Sequence, residues 1–172
     1  MDAELLDAAG IGVEHLELEA RRVADEFAAV AERKNHTLDV VVEGLPIARA
    51  DELRMLQVCR ALVDNALVHT PPGSKVTLRA YADREHAYLE VEDDGPGVPA
   101  EHVPHVFDRF YRAEGGVASG SGLGLAIARE LVTFMDGEVE LESEPGRTVV
   151  RVVLGAAPTS VASLPVGERV ST

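Results

Sequence analysis

The spacing of apolar residues predicts an amphipathic helix near the start of the chain. Within residues 14–34, apolar side chains recur at intervals of three and four, which is the repeat of one helix face. This stripe consists of Leu16, Ala20, Val23, Phe27 and Val30. Residues 1–13 are helix-prone but contain two glycines, so we interpret them as a connector or as the end of a preceding dimerisation helix.

A second helix is predicted to begin at Asp51 and to end before Pro71-Pro72-Gly73. Its apolar stripe is formed by Leu53, Leu56, Cys59, Leu62, Val63, Ala66 and Leu67. The segment between the two helices, residues 36–42, is a strand candidate.

Alternating apolar residues predict two strands after the second helix. Val76, Leu78 and Ala80 face one way in the first strand, and Ala87, Leu89 and Val91 do so in the second. A third helix is expected over residues 123–135, with Gly137 as its stop. Residues 139–143 and 148–154 are expected to pair as a hairpin.

The order of these elements predicts a mixed sheet with helices on one face, because neighbouring strands are joined by short turns. Residues 14–155 form the expected domain. Residues 156–172 show no periodicity and are interpreted as a disordered tail.

Composition narrows the classes of partner. The formal net charge of -14 argues against nucleic acid, because binding a phosphate backbone needs a basic face. No apolar run reaches the roughly 18 residues of a membrane span. The single cysteine excludes an internal disulfide and suits a reducing compartment. A phosphate-rich ligand would therefore have to be held by Mg²⁺, backbone N–H groups and very few cations.

One face of the second helix carries polar residues that could line a site. Ala61, Asn65 and His69 are four residues apart and share this face, with Val68 beside them. The amide oxygen of Asn65 is a hard ligand that suits Mg²⁺. The alternative is that Asn65 only caps or bonds to the helix locally.

The segment after the second alternating strand has the pattern Asp-x-Gly-x-Gly. The carboxylate of Asp93 could accept a hydrogen bond from an exocyclic amine such as that of adenine. Gly95 and Gly97 would permit close backbone approach and positive φ angles. A plain turn would use the same residue types.

Three alternating glycines open the third helix in the motif Gly120-Ser121-Gly122-Leu123-Gly124-Leu125. Unpaired N–H groups and the helix dipole make such a terminus an anion site. The motif is not a dinucleotide fingerprint, because the strand that should precede it is missing.

Taken together and in order, these segments resemble the ATP-binding catalytic domain of sensor histidine kinases, a branch of the superfamily that includes DNA gyrase. The resemblance covers roughly residues 14–154. VCRALVDNALVHTPPG resembles the N box, VEDDGPGVP the first glycine box, VFDRFYR the F box and GSGLGLAIARELV the second glycine box, while SEPGRTVVRVVL resembles the closing hairpin.

The resemblance implies an α/β two-layer sandwich, with a mixed, mostly antiparallel sheet covered by three helices and a mobile ATP lid near residues 98–121. It implies ATP and Mg²⁺ as ligands, with Asn65 on the metal and Asp93 on the adenine amine. Phe107 and Phe110 would anchor the lid. The remaining expected nucleotide contacts are His69, Gly95, Gly97, Tyr111, Arg112, Gly120, Gly122, Leu123, Gly124 and Thr148.

Two positions of the second helix depart from the family pattern. Many members carry a second Asn where this chain has Ala61, and a Lys or Arg where it has Val68. A lost charge-assisted contact is worth roughly 1.5–3 kcal/mol, so triphosphate affinity should fall; Arg112 or His69 could compensate in part. His102 and His105 could form a metal pair, although a solvated surface role is the expectation.

None of the six histidines lies in the sequence of a phosphoacceptor. We therefore expect a piece of a longer, membrane-anchored sensor that is cytoplasmic and makes no membrane contact itself. Its expected partners are the dimerisation domain that carries the acceptor histidine and a response regulator. No residue of this chain would be catalytic alone.

Two other functions stay open. The losses at Ala61 and Val68 suit a degenerate nucleotide-binding or scaffold domain. A serine kinase of the anti-sigma type would share the pocket, although the FDRFYR segment is more similar to sensor kinases.

Overall fold

The three predicted helices are present in the computed structural model, which describes residues 11–112 and 122–158. They are α1 (Leu16–Arg33), α2 (Glu52–His69) and α3 (Gly124–Phe134). Helix α1 begins two residues later than predicted because Glu14 and His15 belong to a strand. Asp51 is the N-cap of α2, where its side chain accepts a hydrogen bond from the Arg54 N–H at 2.9 Å.

Seven strands accompany the helices in the described residues: β1 (Gly12–His15), β2 (Thr37–Val42), β3 (Ile47–Ala50), β4 (Lys75–Ala82), β5 (His86–Asp93), β6 (Glu138–Glu144) and β7 (Arg147–Gly155). The sequence did not predict β1 and β3. Each has four residues, which is too short for alternation to be distinguished from a loop. A short 3-10 helix spans Val103–His105.

The main sheet has five strands in the order β2-β4-β5-β7-β6. Strand β2 runs parallel to β4, and the other neighbours are antiparallel, which confirms the mixed, mostly antiparallel sheet. Strands β1 and β3 form a separate antiparallel pair. Beyond β7, the Ala157 N–H still donates to the Ile47 carbonyl at 2.9 Å.

The core lies between the sheet and the helices. The inward residues predicted for β4 and β5 are all buried: Val76, Leu78, Ala80, Ala87, Leu89 and Val91. They form one cluster with the buried faces of α1, α2 and α3, which confirms the two-layer sandwich. Asp93, the last residue of β5, is therefore carried to the end of the sheet beside the C-terminal end of α2.

The opposite face of the sheet is charged. Arg151 of β7 bonds to Glu90 of β5 and to Glu140 and Glu142 of β6. Glutamates alternate along the edge strand β6, which opposes pairing with another sheet edge. This arrangement lets one face of the sheet meet water without exposing apolar surface.

Several predictions fall on segments outside the described residues. These segments are residues 1–10, residues 113–121 of the expected lid, and residues 159–172 of the expected tail. The proposed domain boundaries and the mobility of the lid remain predictions. Within the described ranges, no helix is long and apolar enough to cross a membrane.

Candidate functional site

Helix α2 presents the predicted polar face next to the end of β5. Asn65 is half-buried, and its side chain makes no hydrogen bond to another residue within 11–112 or 122–158. The local cap or back-bond considered for Asn65 is therefore not formed with those residues. Its amide remains available to a ligand.

Asp93 lies at the end of β5, where its Oδ1 accepts the Gly95 N–H at 3.0 Å. Burial raises the pKa of Asp93, the Gly95 hydrogen bond opposes this, and the neighbouring carboxylates of Asp94 and Glu92 add to it. Asp94 differs, because it accepts the Lys75 N–H at 2.7 Å and so fastens the loop to β4. Among the described residues, Asp93 Oδ2 has no hydrogen-bond partner, so it can accept one from a ligand.

The two glycines after Asp93 are both required by their surroundings. A Cβ at Gly95 would lie 2.7 Å from Thr70 Cγ2 and 2.9 Å from Asp93 Oδ1. Gly97 has a φ of +85°, and a Cβ there would lie 2.6 Å from the Glu144 carbonyl oxygen. The loop thus packs against the side chain of Thr70, directly after α2, on one side and against the backbone of the β6–β7 hairpin on the other.

Thr148 lies beside Asp93 in the sheet. The two residues are directly paired in the β5–β7 register, and Thr148 is buried. Its hydroxyl lies 2.8 Å from Ser143 Oγ on β6, which accepts the Val98 N–H at 2.7 Å. Thr148 is held in place at the predicted adenine end.

The start of α3 meets the site face of α2. A Cβ on Gly124 would lie 4.0 Å from Ala61 Cβ, four residues before Asn65. Leu123, the N-cap of α3, provides no side-chain hydrogen bond to the helix. The first N–H groups of α3 therefore lie near Ala61 and are not capped by the Leu123 side chain, as an anion site requires.

The segment before the glycine box is tied back to the domain. Gly122, with a φ of +71°, accepts the Phe110 N–H at 2.9 Å. Arg109 forms a two-nitrogen pair with Glu130 of α3. Phe107 packs on the core, but Phe110 is 70% exposed, so the expectation that Phe110 anchors the lid is wrong.

Tyr111 is engaged by the two histidines of the short 3-10 segment. Its hydroxyl bonds to Nδ1 of His102, and its ring centroid lies 5.3 Å from that of His105. His105 also bonds to Asp108 at 3.0 Å. In the described part of the chain, no group of three or more His, Cys, Asp or Glu side chains could hold a metal ion. The two histidines thus both contact Tyr111, while the absence of such larger groups from the described residues leaves the metal pair considered for them untested.

Little positive charge reaches the phosphate end. Partial burial lowers the pKa of His69, and Lys34 adds to this while Asp64 opposes it, so His69 contributes less positive charge than an ordinary imidazole. Arg112 is exposed next to Tyr111. Val68 is half-buried and supplies no cation. Gly120 lies outside the described residues.

The residues present fit a nucleotide better than a free metal ion. Mg²⁺ is commonly held by one or two protein oxygens together with substrate phosphates and water. Asn65 supplies one such oxygen, and the α3 terminus suits phosphate. Asp93, one of whose carboxylate oxygens has no partner among the described residues, suits a ring that bears an amine.

Sequence reasoning missed two supporting residues. Thr70 packs its methyl group against Gly95, and Ser143 links Thr148 to Val98. Thr70 directly follows α2 in the HTPPG segment, so its position at the end of the helix that carries Asn65 could be predicted from the sequence. Ser143 gave no comparable indication, because a serine in a strand is common on a solvated face.

Comparisons with known proteins agree with this geometry. The family described as "Histidine kinase-, DNA gyrase B-, and HSP90-like ATPase" matches residues 50–158. The sensor protein DivL of Caulobacter vibrioides is 41% identical over 153 residues, which is 83% of this chain and 20% of DivL. The chain thus spans a fifth of that relative.

Solved structures show the same likeness. The mycobacterial sensor histidine kinase MprB is 28% identical, with a TM-score of 0.74 over 85% of this chain and 99% of that one. Full-length ShkA, in complex with AMPPNP, is 28% identical, with a TM-score of 0.76 over 88% of this chain and 32% of its own. The chain therefore belongs to the histidine kinase-, DNA gyrase B- and HSP90-like ATPase family, as a catalytic domain of the sensor histidine kinase type.

Proposed function

We propose that this domain binds ATP with Mg²⁺ and supplies the γ-phosphoryl group to a histidine on a separate dimerisation domain. The observation that carries the proposal is that the loop after β5 contacts Thr70 at the end of α2, while the start of α3 approaches the Asn65 face of the same helix. Asp93 and Gly95 lie at the end of β5, Asn65 lies on α2, and Gly124 approaches Ala61 at the start of α3.

Each group has a chemical role in this proposal. Asp93 accepts the adenine amine, Gly95 and Gly97 shape the floor of the pocket, and Thr148 supports the adenine. Asn65 is the protein ligand of Mg²⁺. Gly120, Gly122, Leu123 and Gly124 offer backbone N–H groups to the phosphates, while His69, Tyr111 and Arg112 lie at the ribose and phosphate end. The nucleotide analogue bound by ShkA supports this use of the fold.

Positioning and charge neutralisation are the domain's contributions to catalysis. Phosphoryl transfer asks little covalent chemistry of the protein, and the accepting imidazole comes from the other domain. The phosphoryl group would then pass to a response regulator. We place the domain in the cytoplasm as part of a longer sensor, on the strength of its family membership.

Transfer is tested with γ-labelled ATP. The chain is mixed with, or fused behind, a dimerisation domain that carries an acceptor histidine. We expect no label on the chain alone and acid-labile label on the acceptor, as for phosphohistidine. Acid-stable label on a serine of an added protein would instead favour the serine-kinase alternative.

A degenerate nucleotide or scaffold domain is the second candidate, favoured by Ala61 and Val68. Both side chains are apolar, so neither offers a polar group to phosphate. Ala61 packs against the core, and Val68 is half-buried. In the double variant Ala61→Asn, Val68→Lys, a gain in Mg-ATP affinity of at least about a hundredfold would show that the native site had decayed. A gain within about tenfold would favour an active native site.

A further inference from the structure

His36 is a buried imidazole just outside the candidate site. Its exposed fraction is 9%, and it follows Asn35, whose φ of +57° forms the turn between α1 and β2. The His36 N–H donates to the Ala31 carbonyl at 2.8 Å, and the Asn35 carbonyl accepts the Gly73 N–H at 2.7 Å. The backbone around the ring is therefore fixed both to α1 and to the segment that follows α2.

Both ring nitrogens of His36 have partners. Nδ1 lies 3.0 Å from the Lys34 carbonyl oxygen, and Nε2 lies 2.8 Å from Thr70 Oγ1. The Thr70 hydroxyl in turn lies 2.7 Å from the Ala66 carbonyl oxygen in the last turn of α2. The ring thus joins the α1–β2 turn to the end of the helix that carries Asn65.

Counting hydrogens links the charge of this ring to the Thr70 hydroxyl. Carbonyl oxygens only accept, so Lys34 needs a hydrogen on Nδ1 and Ala66 needs the Thr70 hydrogen. Thr70 Oγ1 must then accept from Nε2, and the three bonds form together only in the imidazolium. A neutral ring either turns the hydroxyl away from Ala66 or loses the bond to Lys34.

Thr70 passes this constraint to the candidate site. Its hydroxyl bonds fix the side-chain rotamer and hence the position of its methyl group. That methyl would be 2.7 Å from a Cβ at Gly95, whose N–H holds Asp93. A shift of Thr70 therefore reaches the carboxylate through one intervening residue.

We propose that His36 is a positioning residue for the adenine end of the nucleotide site, and that its ring hydrogen bonds strengthen nucleotide binding through Thr70, Gly95 and Asp93. This inference rests on the proposed function. Removing the ring bond to Thr70 Oγ1 releases the side chain that packs against Gly95, so the affinity for nucleotide falls.

The charged groups near the ring come from three elements. Arg21, Asp25 and Glu32 of α1 and Asp39 of β2 line the same groove as His36. Arg21 pairs with Glu17, and Asp39 pairs with Lys75. In the described residues Asp25 and Glu32 have no such pair, so an imidazolium would face two carboxylates. At the end of α2, the Lys34 ammonium donates to the Leu67 carbonyl, and His69 is influenced by Asp64.

Calorimetry of Mg-ATP binding tests the proposal on the full chain. We expect His36→Leu, which removes both ring hydrogen bonds, to bind Mg-ATP about threefold to fivefold more weakly than the wild type, the value of one lost hydrogen bond. His36→Gln keeps a side-chain amide that can donate to Thr70 Oγ1, so it should recover part of this loss. His86→Gln, which changes an exposed histidine at the other end of β5, should bind like the wild type.

A second measurement does not require nucleotide. In ¹⁵N-resolved spectra, the backbone signal of Gly95 should shift in His36→Leu and in Thr70→Val, and should shift less in His36→Gln. If the wild type binds ATP but His36→Leu binds it equally well, or the Gly95 signal is unchanged in these variants, the inference is overturned and the proposed function stands. If the wild type does not bind ATP, both are overturned. Should His36→Leu fail to fold, Thr70→Val, His36→Gln and the Gly95 signal decide.

Discussion

Asp93 and Glu14 are both carboxyl groups with raised pKa values, but their surroundings differ. Asp93 has one oxygen held by Gly95 and faces the candidate site. Glu14, in β1, is influenced by Glu19, Glu52 and Asp51, all of which carry the same charge. Burial is the largest cause in each case. A ligand amine that bonds to Asp93 could lower its raised pKa, whereas the raised pKa of Glu14 depends on the fold alone.

The Glu14 cluster predicts a loss of stability on raising the pH. Burial and the three neighbouring carboxylates raise the pKa of Glu14 from 4.5 to about 7. The folded state therefore holds more protons than the unfolded state within this window, and the free energy of unfolding falls as the pH rises through it. Because Glu14 is only partly buried, we expect a loss of about 1 kcal/mol.

Urea unfolding at several pH values measures this effect. In Glu14→Gln, the free energy of unfolding should fall less between pH 4.5 and about 7, the window set by the raised pKa of Glu14. Glu32→Gln, which changes an exposed glutamate at the other end of α1, should leave the decline as in the wild type. An equal response in both variants would contradict the assignment to Glu14.

At the scale of elements, the loop after β5 depends on its contact with the β6–β7 hairpin. Gly97 and Gly146 have nearly the same φ, +85° and +88°, but only Gly97 abuts other backbone. A Cβ at Gly97 would lie 2.6 Å from the Glu144 carbonyl oxygen, whereas one at Gly146 would meet nothing within 4 Å. Comparing an alanine substitution at each of these two glycines therefore separates the cost of backbone strain from the cost of steric overlap.

We expect Gly146→Ala to lower the free energy of unfolding by about 1 kcal/mol, the cost of a left-handed residue with a side chain. Gly97→Ala should lower it by at least about 1–3 kcal/mol more, because the loop must move away from the hairpin. Chemical unfolding gives both values. Gly97→Ala should also weaken nucleotide binding, because the loop that follows Asp93 moves. Equal losses of stability in the two variants would mean that the contact between Gly97 and Glu144 is unimportant.

The sequence predicted the elements with repeating patterns and missed those without them. The three helices and the strands β2, β4, β5, β6 and β7 carried an apolar repeat or turn residues, and they are present. Strands β1 and β3 depend on pairing with each other, a long-range contact that no local pattern encodes.

Site residues divide in the same way. Asp93, Gly95 and Gly97 could be selected from their order after a strand. The role of Thr70 could not, because it arises from a methyl contact across the sandwich. Phe110 was misassigned: an aromatic residue in this segment suggested an anchor, but its side chain is 70% exposed.

At the scale of the whole molecule, the net charge of -14 opposes an anionic ligand. Long-range repulsion slows association and is screened by salt over a Debye length of about 10 Å at 0.1 M. We therefore expect the association rate constant of Mg-ATP to rise with added NaCl from about 10 mM to about 150 mM. Stopped-flow measurements with a fluorescent ATP analogue would check this. An association rate constant that falls with added salt would indicate that attraction by local positive charge such as that of Arg112 outweighs the repulsion by the net charge.

The central claim, that the end of β5 receives the adenine of ATP, is tested most directly by calorimetric titration of three proteins with Mg-ATP. These are the wild type, Asp93→Asn and the matched variant Asp94→Asn, which removes the same charge from the adjacent residue that binds the Lys75 N–H. We predict measurable binding by the wild type, a loss of about tenfold or more in Asp93→Asn, and a change within about twofold in Asp94→Asn. No binding by the wild type at millimolar nucleotide, or equal losses in the two variants, would contradict the account.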